Sequence, residues 1–469
     1  MSALNLLSQA IQFHQNGELG KANDIYLAIL SEAPEHLQAL CLSGSIAQYQ
    51  GDFHGAIALF TKANQLSPAL ASVYVPLGIC HTQIGDLDAA NSFYKKATLL
   101  APLQIEPLVN LANNLLKQNQ FSESFGLYKK ALEITPDSAL IHYNIGSLFL
   151  KSMKPAQAQY WFRKALALQT NNASAWNSLG VCLTELGELP EALEAYQQAI
   201  TLDPHFVEPL FNRHAVLVDL ERGAEAMQAL EQAASLDSAN PMYVFFLGML
   251  QAYYGQEELG EKTLQAIAQA PGVQPELESW AHLKTLNLQS SVLTGTNTKT
   301  IDVAMSHAKL DGLVLEFGVY NGKSICNIAS LIKTEVHGFD SFEGIPENWN
   351  DEPQGSYSAN GDLPEVPANV TLHQGWFDQT IPEFKKTHPE PIRFMNIDCD
   401  LYSSTKTIFD LLGPQIVPGT VIVFDEYIGY KSWKEDEFKA FQEALVQYQW
   451  KYELLAFSFA SKQVAIKII

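Results

Sequence analysis

Basic residues are scarce in this chain. Lys and Arg number 29 against 51 Asp and Glu, a formal net charge of −22 over 469 residues. The acidity is spread rather than gathered in a tail, since residues 300–469 hold 13 Lys and Arg against 24 Asp and Glu. Binding to nucleic acid needs clustered cations against phosphates. No such cluster occurs, so no nucleic-acid partner is expected. Cysteine is sparse too. Cys41, Cys80, Cys182, Cys326 and Cys399 are scattered, odd in number and without metal-ligand spacing, which argues against a disulfide framework. A reduced, cytoplasmic setting is the expectation. No run of 18 apolar residues exists, so no membrane span is expected. The first twenty residues, MSALNLLSQAIQFHQNGELG, lack the basic start and apolar core of a signal peptide. What is present is 47% hydrophobic residues, enough to bury the cores of more than one domain.

The first half repeats itself. Gly44, Gly78, Gly146, Gly180 and Gly248 are separated by multiples of 34 residues. Alanines at 22, 56, 90, 158, 192 and 226 keep one phase, as do aromatics at 26, 60, 94, 128, 162 and 196. Prolines close units at 34, 68, 102, 136 and 204. Four positions in one phase resemble the tetratricopeptide repeat, over residues 3–274, as eight units. Each unit is expected to be two antiparallel helices that cannot bury their apolar face alone, so pairs stack into an α-solenoid with a concave groove. Asn110, Asn144 and Asn212 share a phase, with Asn177 one residue off it. In repeat proteins of this kind that bind extended peptides, asparagines in this phase hold the ligand backbone. The resemblance therefore offers a protein or peptide partner in the groove. The simpler reading is that asparagine is common at a solvated position.

Residues 275–310 read as a helical connector. PELESWAHLKTLNL has helical spacing, SSVLTGTNTKT reads as a loop, and a helix is expected over 301–310. Beyond it the periodicity changes. Strands are expected near 313–318, 336–340, 370–375, 392–398, 420–425, 452–459 and 464–469. Helices are expected near 322–333, 380–387, 402–412 and 433–448. Alternating strands and helices predict a parallel sheet covered on both faces. Ala460 to Gln463 is too short for a crossover, so the last two strands form an antiparallel hairpin.

Open α/β sheets bind ligands at the carboxyl ends of their strands, and the unusual residues lie there. LEFGVYNGKS carries Glu316, Gly318, Tyr320 and Gly322; it is not the dinucleotide G-x-G-x-x-G. HGFDSFEG ends the second strand at Asp340 and Ser341, where a carboxylate can accept from a ribose diol. HQGWFDQT follows the third strand, and Trp376 and Phe377 could flank an adenine. FMNIDCDLY and VIVFDEY end the fourth and fifth strands. Asp398, Asp425 and Glu426 thus come to adjacent tips, where they repel one another unless a cation sits among them. Hard oxygen ligands suit Mg²⁺ or Ca²⁺. Residues 341–369 join two strands without a clear helix, and so long a loop is expected to cover the substrate. Glu435, Asp436 and Glu437 read as the acidic first turn of the last helix.

The words LEFGVYNGKS, FDSFEGIPE, GWFDQTIPEF, IDCDLYSSTK and VPGTVIVFDEY resemble the macrocin O-methyltransferase group of class I S-adenosylmethionine-dependent methyltransferases, over residues 311–469. The resemblance implies a Rossmann-like domain with a seven-stranded sheet. It implies S-adenosylmethionine on Glu316, Gly318, Tyr320, Gly322, Asp340, Ser341, Trp376, Phe377 and Asp398. It implies Mg²⁺ on Asp398, Asp425 and Glu426, and Asp400 as general base. The expected reaction is metal-assisted methylation of a hydroxyl on a sugar or another small-molecule or glycan acceptor, with the repeats docking a protein partner or the substrate. Where characterised members carry Asp-Asp after strand five, this chain has Asp425-Glu426. The alternative is a repeat scaffold whose methyltransferase-like domain binds a ligand without catalysis.

Overall fold

A computed structural model describes residues 3–359 and 361–469, which pack as two compact units, 1–171 and 172–469. The first unit is five helix pairs: Ala3–Gln15 and Leu19–Glu32 (α1, α2), Leu37–Tyr49 and Phe53–Leu66 (α3, α4), Ala71–Gln83 and Leu87–Leu100 (α5, α6), Ile105–Lys117 and Phe121–Ile134 (α7, α8), Ala139–Lys151 and Pro155–Leu168 (α9, α10). Aspartates cap second helices of the pairs; Asp52 accepts from the Gly55 N–H at 2.9 Å and Asp86 from Ala89 at 3.1 Å. The glycine phase has a packing cause. A Cβ at Gly78 would lie 2.4 Å from the ring of Tyr94, and one at Gly146 2.7 Å from that of Phe162. In three of the five pairs the aromatic of the second helix thus lies on bare backbone of the first. The turn inside each pair needs a left-handed residue. Gly17, Gly51 and Gly85 supply it, and Asn119 and Met153 adopt it at φ 59° and 58°.

The second unit begins with three more pairs, Ala173–Glu185 and Leu189–Leu202 (α11, α12), Val207–Asp219 and Gly223–Leu236 (α13, α14), Pro241–Tyr253 and Glu257–Gln265 (α15, α16). Gln274–Leu283 (α17), Val292–Leu293 (β1) and Asn297–His307 (α18) follow. Then come Leu313–Phe317 (β2), Lys323–Leu331 (α19), Val336–Asp340 (β3), Val370–Gln374 (β4), Phe377–Lys385 (α20), Ile392–Ile397 (β5), Tyr402–Leu412 (α21), Val421–Phe424 (β6), Glu437–Tyr448 (α22), Tyr452–Phe457 (β7) and Val464–Ile468 (β8). The sheet has eight strands, not seven, in the order β1-β7-β8-β6-β5-β2-β3-β4. The extra strand is β1, two residues inside the segment read as a loop. It pairs parallel with β7 and has no periodicity of its own. β8 alone runs against its neighbours β6 and β7. β2 lies between β3 and β5, so connections leave it on both sides. In open sheets such a reversal marks where ligands bind, at the strand tips.

The core of this unit runs from the repeats into the sheet. Phe245 of α15 meets Phe459 edge-on at 5.0 Å, and Tyr253 and Trp280 both pack near Phe457. A buried acid pins the joint. Asp219, the last residue of α13, accepts from the Gly295 N–H at 2.6 Å and the Thr296 hydroxyl at 2.7 Å. Gly295 fits because any Cβ there would lie 1.9 Å from the Ala215 carbonyl oxygen. Thr296 then caps α18, accepting from the Lys299 N–H.

Burial raises the Asp219 carboxyl to about 6, against the lowering effect of its two hydrogen bonds. The folded state therefore holds this proton at pH values where the unfolded chain has lost it. Stability from this group is full below the ordinary carboxylate range and is lost as pH rises towards about 6. A shift of this size corresponds to about 3 kcal/mol. Asp219→Asn keeps an acceptor for Gly295 and removes the titration. Its urea midpoint should gain on wild type between pH 4 and pH 7; parallel midpoints would contradict the assignment.

Candidate active site

The tip of β2 turns sharply. Gly318 has φ +90°, and a Cβ there would lie 1.7 Å from the Asp398 carbonyl oxygen, so the β2 and β5 tips touch through bare backbone. Tyr320 follows at φ +45° and Gly322 at φ +81°. This alternation turns successive N–H groups inward, as an anion-binding concavity does. The anion is Asp340. Its Oδ2 accepts from the Val319 and Tyr320 N–H groups at 2.8 and 2.7 Å, and its Oδ1 from the Phe342 N–H at 2.7 Å. Asp340 was expected to hold a ribose diol. Instead most of its accepting capacity fixes the glycine loop. Ser341 is likewise engaged, its hydroxyl accepting from the Glu343 N–H at 3.1 Å. Phe377 lies edge-on to Phe317 at 5.5 Å and packs on the core rather than standing free. Trp376 precedes α20 and is half-buried at the tip of β4.

Glu316 is fully buried at β2. One oxygen accepts from the Ser324 hydroxyl at 2.6 Å and the other has no partner among the described residues. Burial pushes it up to about 8. Further along the tips, Asp398 and Asp425 are both raised, Asp398 by burial and then by Asp425 itself. Asp400 stands in left-handed backbone at φ +63°, and burial, Asp425 and Asp436 lift it to about 7. Glu426 is raised to about 8 by burial, with Lys462 opposing.

The acids do come within reach of one another, and two of their oxygens already have donors, while Glu426 Oε2 is buried with no partner among the described residues. Asp425 Oδ1 accepts from Asn297 Nδ2 at 2.9 Å and Gln463 Nε2 at 2.5 Å. Glu426 Oε1 faces the Lys462 ammonium at 3.3 Å. Divalent magnesium or calcium asks for about six oxygens at 2.0–2.6 Å. Among the described residues no three His, Cys, Asp or Glu side chains are arranged to hold an ion. Asp398, Asp425 and Glu426 as they stand therefore do not fit the expected Mg²⁺.

Several residues at this site were not foreseen. Asn297 comes from the N-terminus of α18. Lys462 and Gln463 come from the β7–β8 hairpin, and Gln463 is fully buried. Glu437 is no solvated first turn. It is fully buried, and its Oε2 accepts from the Glu426 N–H at 3.3 Å. Asp436 gathers the Ser432 hydroxyl, the Tyr430 hydroxyl and the Trp349 indole N–H. Through Trp349, and through Glu347 accepting from Ser403 at 2.6 Å, the 341–369 segment is tied to α22 and α21. Tyr357 of that segment feels the negative charge of Glu352, Asp400, Glu426 and Asp398; burial and these charges push its hydroxyl up to about 12. His337 lies on β3 and His373 on β4. They face each other at 3.3 Å among Phe339, Phe384 and His388, and burial drops His337 to about 4. They are packing residues. Of the asparagines, Asn110 lies on α7, Asn144 on α9 and Asn212 on α13, all half-buried. Asn212 donates to Asn177 at 3.1 Å.

Comparison with known proteins bears on this arrangement. A family model described as a methyltransferase domain matches residues 315–427. Tetratricopeptide repeat models match 37–70 and 173–206, and a TPR repeat model matches 112–152. A relative from Streptomyces olivaceus, 8-demethyl-8-(2,3-dimethoxy-alpha-L-rhamnosyl)-tetracenomycin-C 4'-O-methyltransferase, is 29% identical over 143 residues, covering 25% of this chain and 53% of its own. The chain thus spans about half the length of the curated relative it matches. Among solved structures, YrrB, a TPR protein with an unusual peptide-binding site, is 23% identical with a TM-score of 0.33, covering 39% of this chain and 95% of its own. A tetratricopeptide repeat protein from Parabacteroides merdae is 15% identical with a TM-score of 0.45, covering 56% and 99%. No helix among the described residues is long and apolar enough to cross a membrane.

Proposed function

From a chain in which tetratricopeptide repeats precede a methyltransferase domain, with S-adenosylmethionine the methyl donor that such a domain implies, we propose an O-methyltransferase. Its acceptor is a hydroxyl of a sugar, or of another small-molecule or glycan compound. The observation that carries this reading is the place of Asp400, in left-handed backbone just beyond the end of β5 with Asp425, Asp436 and Lys462 acting on it, where burial and these acids lift its carboxyl to about 7. A base of that strength takes a hydroxyl proton at neutral pH and gives it up again. The relative from Streptomyces olivaceus, named for a 4'-O-methylation, supports oxygen as the acceptor atom.

The donor, when bound, supplies an electrophilic methyl group. Gly318, Tyr320 and Gly322 would hold it along the turn above β2, with Asp398 beside Gly318. The unpartnered Glu316 oxygen suits a donor such as an ammonium group. Trp376 offers a flat face for an adenine. Asp340 and Ser341 act one step back, by fixing the backbone that meets the cofactor, and Phe377 supports the floor beneath. The half-buried asparagines Asn110, Asn144 and Asn212 are proposed to meet a protein or peptide partner, Asn212 after releasing Asn177.

The test starts with binding. S-adenosylmethionine titrated calorimetrically into the full chain should give one site per chain. Labelled cofactor is then offered with a panel of sugars, glycans and hydroxylated small molecules. A chain that binds no S-adenosylmethionine would overturn the reading.

A further inference from the structure

We propose that the Lys462 ammonium is the resident cation of the carboxylate cluster, doing there what a divalent metal would otherwise do. The inference rests on the methyltransferase reading above and adds the group that polarises the acceptor.

The hairpin delivers this lysine by construction. β8 runs antiparallel to β6 with Val464 opposite Phe424, so the two residues before β8 must lie beside the two after β6. Lys462 takes φ +59°, and its carbonyl accepts from the N–H groups of Tyr427 and Ile428 at 3.1 and 3.3 Å. The backbone is therefore clamped directly against the Asp425–Glu426 tip. From there the side chain sends Nζ to 3.3 Å from Glu426 Oε1, over the Tyr430 ring at 5.7 Å from its centroid. Its charge acts on Asp400, Asp425 and Glu426 together. The next residue, Gln463, donates its amide N–H to Asp425 Oδ1. The hairpin thus brings two donors to the cluster, one with a positive charge and one an amide.

An ammonium suits the task. It is a compact charge with three donors on a flexible stem. This side chain is 40% exposed, so its head can follow a substrate oxygen. One donor stays on Glu426 while another meets the acceptor hydroxyl. As the O–H bond breaks, its proton passes to an Asp400 oxygen, and the negative charge growing on the acceptor oxygen faces the ammonium. Donors preset at such a charge contribute a factor on the order of 10² in rate. Asp425-Glu426 in place of Asp-Asp fits the same picture, since the longer glutamate spans to a lysine head.

The test needs no acceptor. Full-length wild type, Lys462→Met and Lys462→Arg are titrated calorimetrically with MgCl₂, MnCl₂ and CaCl₂. Wild type and Lys462→Arg should show no stoichiometric site. Lys462→Met leaves the acids without their cation and should gain a site at least tenfold tighter than any wild-type binding. One ion bound per wild-type chain would overturn the proposal whatever the variants do, as would a Lys462→Met protein that binds ions no better than wild type. Titration with S-adenosylmethionine alongside separates the two failures, because the methyltransferase reading falls only if the cofactor does not bind.

Discussion

Asp340→Ala should weaken S-adenosylmethionine binding at least a hundredfold in a calorimetric titration of the full chain. The reason is the loop rather than the ligand. Three N–H groups, those of Val319, Tyr320 and Phe342, converge on this one carboxylate. Val319 and Phe342 are almost completely buried, so water cannot replace the lost acceptor freely. Each donor left unsatisfied costs about 1–3 kcal/mol, and a hundredfold loss is about 2.7 kcal/mol. The left-handed turn through Tyr320 is also unfavourable on its own and persists only where its surroundings hold it. Asp340→Asn keeps one acceptor oxygen and should fall between alanine and wild type. If the carboxylate acted only by touching a ribose, asparagine and alanine would be nearly alike. Binding within threefold of wild type in the alanine variant would remove Asp340 from any role at the cofactor.

Asp400→Asn should lower turnover by a factor of about 10²–10⁴, the range for loss of a positioned proton acceptor. Cofactor affinity should stay within threefold of wild type, because the glycine loop and Asp340 are untouched. Asparagine matches the carboxylate in size and loses only its ability to take a proton. Turnover is read as transfer of labelled methyl to the acceptor found in the panel. Equal turnover in the two proteins would move the base elsewhere. Fallen cofactor affinity together with fallen turnover would mean that Asp400 shapes the cleft instead.

The strands of the second half were legible because each is a short apolar run bounded by glycine, proline or polar residues. The repeats were legible because small and aromatic residues keep one 34-residue phase, and the structure supplies the reason in the contact of Gly78 with Tyr94. β1 was not legible, since Val292 and Leu293 become a strand only by lying against Ala456 and Phe457. The acids of the candidate site could be named from strand ends. Their partners could not, because hydrogen bonding reaches far along the chain, as from Asn297 to Asp425. Lys462 and Gln463 are a different case. The antiparallel hairpin was expected, and that pairing already brings its turn to the tip of β6. Glu437 was misread because an acid at a helix start is usually solvated, and only tertiary packing buries this one under the β6 tip.

The Asp219 clamp bears on how such a chain can be inherited. Recombination that spliced another repeat array ahead of residue 275 would carry off the acid that holds Gly295 and Thr296, together with Phe245 and Tyr253 from beneath the sheet. It would also remove Glu185, the ion-pair partner of Lys323 beside the glycine loop. The new array would need its own acid and aromatics at matching places before α18 could present Asn297 to Asp425. The first five helix pairs carry no such obligation to the clamp. Exchange, loss or addition of repeats among relatives should therefore fall before α11, while the last three pairs descend with the sheet as one heritable piece.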